Sequence, residues 1–501
     1  MKKDTRGIIA AGLLGIAATA ALVFGIWNLL PLFGEPAGDT PLTLYEGAKT
    51  MGDSLHAKIS ANGNNLFVYD TVVNHSRENR GDYDVSALAL TPMTYFDADF
   101  AAGGVDLDVE MINETDLPEI TSASVSPLSH GITPKIKGRH ITFKVTQAGS
   151  YTVQFNGSPH RAVHIFVNDV ESDVPDRNDP NVVWIEPGEW NIPDGIQLQS
   201  NQTLYISGGA VVHTTVSAQF AENVTIRGRG MIDGGIWDSW QGTNAHVPVD
   251  FRYCKGVNVE GIILNNSNAW VFNMFETENG DVKNVKIISA RPNGDGFTLQ
   301  SCRNITVQNS FVRTWDDSCV VKNYEGNTDN ITFNNMVVWT DLAQSLEIGY
   351  ETNKGQQPDS VISNINFTNI TVINAFHKPV MSIHNSDDAL VENVTYKNIT
   401  VENAAMGGGD AGENRQLIDL TIAPSTWNST KERGTIRNVS FEDITVLGGT
   451  RVPPIRVSGY DEEHDIRGVT IKNLTLLGTK ITKLEDLTLT SKYASDIVLE
   501  G

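Results

Sequence analysis

The chain has 501 residues, of which 19% are charged and 40% hydrophobic, with a formal net charge of −23. This composition, free of polar low-complexity tracts, excludes a disordered chain, and the length calls for two domains or an elongated repeat. The acidic balance, with no Lys/Arg cluster after the first six residues, excludes nucleic acid as an expected partner and disfavours a polyanionic ligand unless local cations compensate.

At the N-terminus, MKKDTR precedes a stretch without charge from Gly7 to Phe33. That stretch is long enough to span a bilayer, and its basic flank places the N-terminus in the cytoplasm. Residues 1–34 are therefore expected to be an uncleaved signal anchor, with cleavage near Ala17–Ala21 as the alternative. The rest of the protein is expected outside, either membrane-anchored or secreted. Residues 35–49 read as a linker. From 50 to 174, pieces such as NLFVYDTVV, GVDLDVEMI, RHITFKVT and AVHIFVND alternate polar and apolar residues between turns, which predicts a small antiparallel β-sandwich. PDRNDPN, residues 175–181, marks the boundary.

Beyond it one phrase recurs, often Asn followed by apolar, polar and apolar residues, from NVTIRG at Asn223 through NVEGII at Asn258, NVKIIS at Asn284, NITVQNS at Asn304 and NITFNNM at Asn330 to NVSFEDI at Asn438. A period mostly of 26 to 35 residues without an amphipathic helical pattern predicts a β-solenoid. Residues 175–501 are expected to form a right-handed parallel β-helix, all-β like the preceding domain, with Asn and Thr stacked at the bends. The repeat itself generates Asn-x-Ser/Thr, so that pattern is read as structural before it is read as glycosylation. Cys254, Cys302 and Cys319 begin apolar runs and lack CxxC spacing. They read as buried thiols, with a disulfide the alternative.

Two motifs carry chemistry. Asp295 lies between glycines in ARPNGDGFTLQS, and Asp316–Asp317 follow about one coil later in FVRTWDDSCVVKN. Coils stack at roughly 4.8 Å, so the three carboxyls should gather on one outer face, provided the chain bends between Asp316 and Asp317. Clustered acids raise one another's pKa and can divide the roles of proton donor and base. The same residues, with Asn293, would also suit a calcium site or a solvated turn. Lys322 and Arg313 are the nearby cations, Lys322 either paired with the acids or at a solvated edge. Glu347 is one coil further on. Trp270, Trp315, Trp339, Tyr324 and Tyr350 are candidates to stack on sugars or to pack. The second acid pair, Asp387–Asp388, reads as a turn.

The series NGDGFTL, WDDSCVVKN and NNMVVWTDLAQSLEIGYE (334–351) resembles the Asn-x-Asp-Gly, Asp-Asp-Cys and Gly-His-Gly…Ile-Gly motifs of polygalacturonases. It resembles the β-helical dextranase family, which also places a β-sandwich before the helix, at least as closely. The resemblance implies an inverting polysaccharide hydrolase in which Asp316 is the general acid while Asp295 and Asp317 hold and activate water. Asn293, Lys322, Gln344, Glu347, Trp315, Tyr350 and His384 are then the expected substrate contacts, without a cofactor or resident metal. Two departures shift the expected substrate toward a neutral, dextran-like glucan, with pectin the alternative. Gln344 stands where pectinases carry His, and MSIHN (381–385) where they carry Arg-Ile-Lys. A monomer is expected. Competing readings are a non-catalytic β-helical glycan-binding adhesin and, last, a polysaccharide lyase.

Overall fold

A computed structural model describes residues 40–48, 50–74, 88–112, 119–240, 242–407 and 415–500. The apolar segment 7–33 lies outside them, and among the described residues no helix is long and apolar enough to cross a membrane. The chain is all-β. Its first strands make two facing sheets. One orders Leu42–Thr43, Leu88–Ala98, Ser158–Asp169, Gly149–Phe155 and Ala123–Ser126, with Tyr69–Asn74 also on Leu88–Ala98. The other orders Asn64–Asn65, Ala57–Ala61, Val105–Met111, His140–Val145 and Lys135–Lys137. Alternate inward residues such as Ile59, Val109, Ile141, Val153 and Ile165 fill the space between them, as period-2 burial requires.

Two details differ from the sequence reading. Leu88–Ala98 and Ser158–Asp169 run parallel, with His164 opposite Met93, so the sandwich is mixed: the chain crosses the second sheet before it returns. Residues 42–43, expected within a linker, add an edge strand opposite Asp97 and Ala98. Tyr45 holds this segment by donating to Asp97 Oδ2 (2.8 Å) and stacking on Tyr95.

From Val182 onward every coil contributes strands that pair in parallel with their equivalents in the next coil. The result is a parallel β-helix. Inward rows are continuous apolar ladders, for example Phe333, Phe367, Tyr396 and Phe441, whose rings stack at centroid distances of 5.2, 4.9 and 5.0 Å. The bends hold two asparagine ladders. In one, Asn223, Asn279, Asn304 and Asn330 all take positive φ (55–59°), and Asn330 donates to Asn304 (2.9 Å), as Asn304 does to Asn279 (3.0 Å). Asparagine tolerates this left-handed conformation and its amide passes the bond from coil to coil. Gly256 (φ 74°) takes the same position in its coil. Asn284, Asn309, Asn335 and Asn369 form the second ladder. The recurring phrase read from the sequence thus mixes two corners, which explains its short interval from 284 to 304, while Asn258 lies within a strand opposite Thr225. The three cysteines are buried free thiols.

The first sheet packs on one flank of the helix through Tyr69, Tyr95 and Phe166 against Met231, Ile263, Ile288 and Phe311. Arg313, expected near the acids, belongs to this seam. It is fully buried, pairs with Asp341 (3.2 Å), contacts His164 and lies over Trp339. Strand alternation sends it to the flank where the sandwich packs. Trp339 is buried there too and is no sugar platform.

Candidate active site

A second flank of the helix is built from Phe272–Phe275, Phe297–Gln300, Cys319–Lys322, Leu346–Tyr350, Met381–Asn385 and Ile418–Ile422, each parallel to the next. The acids sit at the corner where the chain enters these strands. Phe297 lies opposite Cys319, and Cys319 opposite Leu346, so Asp295, Asp317 and Gln344 occupy equivalent places in consecutive coils. Backbone bonds continue the register beyond the strands: Gly296 N–H donates to Asp317 O (2.8 Å) and Ser318 N–H to Gln344 O (2.9 Å). The required bend is present between Phe311–Thr314 and Cys319–Lys322. Thr314 Oγ1 donates to the Asp316 carbonyl (2.7 Å). The in-register partner of Asp295 is Asp317, one residue later than the spacing to Asp316 suggested.

Asp295 and Asp317 are 4% and 8% exposed, and Asp316 is half-buried. Asp316 accepts N–H bonds from Asn293 (3.0 Å) and Asp317 (3.1 Å). Asn293 takes φ 55°, so it shapes the turn that presents its amide. Asp317 accepts the Gln344 N–H (3.0 Å). Burial, then the Asp316 charge, push the Asp295 carboxyl well above its ordinary range, with Lys322 opposing. Burial and Asp316 likewise push Asp317 up to about 7. Lys322 is a buried partner, not an edge lysine: its Nζ lies 3.7 Å from Asp295 and 3.0 Å from Glu351. Burial alone would lower its pKa, but Glu351 and Asp295 outweigh that and hold it well above the usual lysine range. Burial would raise Glu351, and the Lys322 charge reverses this, keeping it low. The site therefore retains a proton near neutral pH while carrying ionised carboxylate, the combination that acid–base hydrolysis requires.

The remaining expected contacts divide. Gln344 Nε2 donates to the Tyr350 hydroxyl (3.0 Å), and Tyr350 packs on His384 at 3.9 Å between centroids. These three stand beside the acids on the C-terminal side. Burial drives the His384 imidazole down to about 4, against Asp419, so it is neutral at pH 7. Glu347, by contrast, is 0% exposed and bonded to the Ser382 hydroxyl, in the outward row that Asp419 continues. Burial and Asp317 hold it well above the carboxylate range, so it is a neutral buried acid and not a surface contact. Trp315 is likewise buried and offers no open ring face.

Sequence reasoning missed several neighbours. Glu351 and Lys378 act on the acids, the latter from beside Pro379, whose carbonyl accepts the Ser345 N–H (3.4 Å). Asp419 and Arg456 form a two-bond pair on the floor (2.8 and 2.5 Å). On the N-terminal side Trp270, one of the expected stacking candidates, precedes Val271, whose N–H donates to Asp295 O (2.9 Å), and the unforeseen Trp240 packs on Trp270 at 5.6 Å. Two tryptophans in the long GGIWDSWQG insertion were the available signal there. Asp387, read as part of a turn, is fully buried. Among the described residues no group of three or more His, Cys, Asp or Glu is arranged to hold a metal ion.

Residues 187–495 match the family described as Glycosyl hydrolases family 28. A 110-residue stretch is 28% identical to an exopolygalacturonase of Arabidopsis thaliana, covering 20% of this chain and 26% of that protein. The chain thus spans about a quarter of the length of that curated relative. Among solved structures, Dex49A from Penicillium minioluteum superposes with a TM-score of 0.65 at 13% identity, covering 93% of this chain and 98% of that one. A family 28 exopolygalacturonase from Yersinia enterocolitica gives 0.49 at 14% identity, covering 79% and 96%. The Dex49A likeness is one of fold, and it takes in the sandwich as well as the helix.

Proposed function

The chain belongs to glycosyl hydrolases family 28, and from that premise we propose that it is an inverting hydrolase of an uncharged polysaccharide, acting outside the cytoplasm as a monomer anchored or exported through residues 7–33. The carrying observation is the stack of Asp295, Asp316 and Asp317 around Lys322. Asp316, the least buried, acts as the general acid on the leaving oxygen. Asp295 and Asp317 hold a water on the opposite face of the sugar and accept its proton as it attacks the anomeric carbon. The carbon–oxygen bond breaks as the new one forms, and the configuration inverts. The winding is right-handed in this reading, as about 98% of parallel crossovers are.

A neutral substrate is favoured by the state of the neighbouring side chains. Where the resemblance would place two cations, this chain has Ser382 and the neutral His384. Arg456 is engaged by Asp419, and Lys322 by Asp295 and Glu351. A uronate needs a charge-assisted partner, and Lys378, which faces Asp317 and Glu347, supports polyuronate hydrolysis as the second reading. Incubating residues 35–501 with dextran and with polygalacturonic acid, following reducing ends and the first-formed anomer by NMR, separates them. Release from dextran with inversion is expected. Release only from polygalacturonate selects the second reading, and a retained anomer refutes the mechanism.

A further inference from the structure

Trp427 is 52% exposed, yet its segment is held firmly. Its N–H donates to Ser425 Oγ (3.1 Å), that hydroxyl donates to Ser386 Oγ (3.1 Å), and Lys354 Nζ donates to the Trp427 carbonyl (3.3 Å). Beneath it the buried Asp387 ties two insertions together. Its Oδ1 accepts the N–H groups of Ser429 (2.7 Å) and Thr430 (2.8 Å) and the Thr430 hydroxyl (3.1 Å). Its Oδ2 accepts the N–H groups of Thr352 and Asn353, both at 3.1 Å. These bonds fix the backbone that carries the indole, so a half-exposed ring is held in place in a loop, where side chains ordinarily keep their freedom. Fixing it prepares a flat apolar face for a ligand.

The position of that face identifies the ligand. Trp427 packs on Tyr350 at 5.2 Å, Tyr350 accepts a bond from Gln344, and the Gln344 N–H is bonded to Asp317. His384, packed on Tyr350, lies two coils beyond Asp317, about 10 Å along the helix axis. A chain lying on the acids and continuing toward the C-terminal coils would meet the indole.

Resting on the hydrolase reading above, we infer that Trp427 is a sugar-stacking platform at the C-terminal end of the cleft, presented by Asp387 as a positioning residue. The ligand class is a pyranose unit of the polysaccharide bound at the acids, offering its C–H face to the indole.

The test uses an Asp316→Asn background, which leaves bound sugar uncleaved, and measures binding of isomaltotetraose and of tetragalacturonate by calorimetry. Adding Trp427→Ala should weaken the better ligand about five- to tenfold, and Trp427→Phe should restore most of it. Adding Asp387→Asn should weaken binding similarly, but have little further effect once Trp427 is alanine, because the two act through one contact. Unaltered binding by the Trp427→Ala variant, or full additivity of Asp387→Asn, overturns the inference. So does a parent that binds neither sugar. Reducing-end release by the unsubstituted protein, measured separately, reports on the hydrolase reading: release alongside unaltered Trp427→Ala binding removes the platform alone.

Discussion

Replacing Asp317 with asparagine should abolish hydrolysis and stabilise the protein, with a gain that depends on pH. Burial and the neighbouring Asp316 charge move this carboxyl from 3.8 to about 7 in the folded state. Between those values the folded protein holds a proton that the unfolded chain releases. The stability present at acidic pH is therefore lost as pH rises through about 7. A displacement of roughly three pH units corresponds to ~4 kcal/mol at ~1.4 kcal/mol per unit. Asparagine is uncharged throughout and keeps an oxygen for the Gln344 N–H now bonded at 3.0 Å. Urea unfolding of the two proteins should show matching stability near pH 4 and an advantage for Asp317→Asn of a few kcal/mol at pH 8. The variant should at the same time lose about 10²–10⁴-fold in activity. A stability difference that is the same at both pH values, or a variant weaker than its parent at pH 8, refutes the argument that this carboxyl is buried at a cost for catalysis.

Three further outcomes are expected. Asp316→Asn should lose about 10²–10⁴-fold in hydrolysis while the fold stays intact; full activity on the polysaccharide that the parent cleaves would remove Asp316 as the proton donor. Lys322→Met should destabilise by about 3–5 kcal/mol, because Asp295 and Glu351 lose their buried counter-charge, and denaturant titration at pH 7 reads this directly. In the bend ladder, Asn330→Ala removes the 2.9 Å bond to Asn304 and puts a Cβ-bearing residue without a compensating amide at φ 55°, a loss of about 1–3 kcal/mol. Asn330→Gly should recover part of it, since glycine keeps that φ without strain, and thermal melts of the pair decide the point.

The solenoid was legible in the sequence because a stacked coil repeats its chemistry at each turn: apolar residues inward, asparagine at the left-handed bends. The acids were legible for the same reason, since NGDG and WDD fall one coil apart and coils stack at fixed height. Direction was another matter. Arg313 and Lys322 both lie near Asp316 and Asp317 in the chain, but one turns into the sandwich seam and the other under the acids. Glu347 had a plausible height and proved to be buried. Asp387 read as a turn, with nothing to show that it braces two insertions, and Trp427 sat in an insertion with no repeat to place it. Periodicity along one chain determined which residues share a coil position. Which of them meet across coils and loops, and which are shielded from water, was decided only by the register of 22 to 37 residues between stacked strands of the cleft flank and by the insertions folded over them. A contact between residues so far apart leaves no local pattern, because it is formed by packing and not by the bonding preferences of either residue.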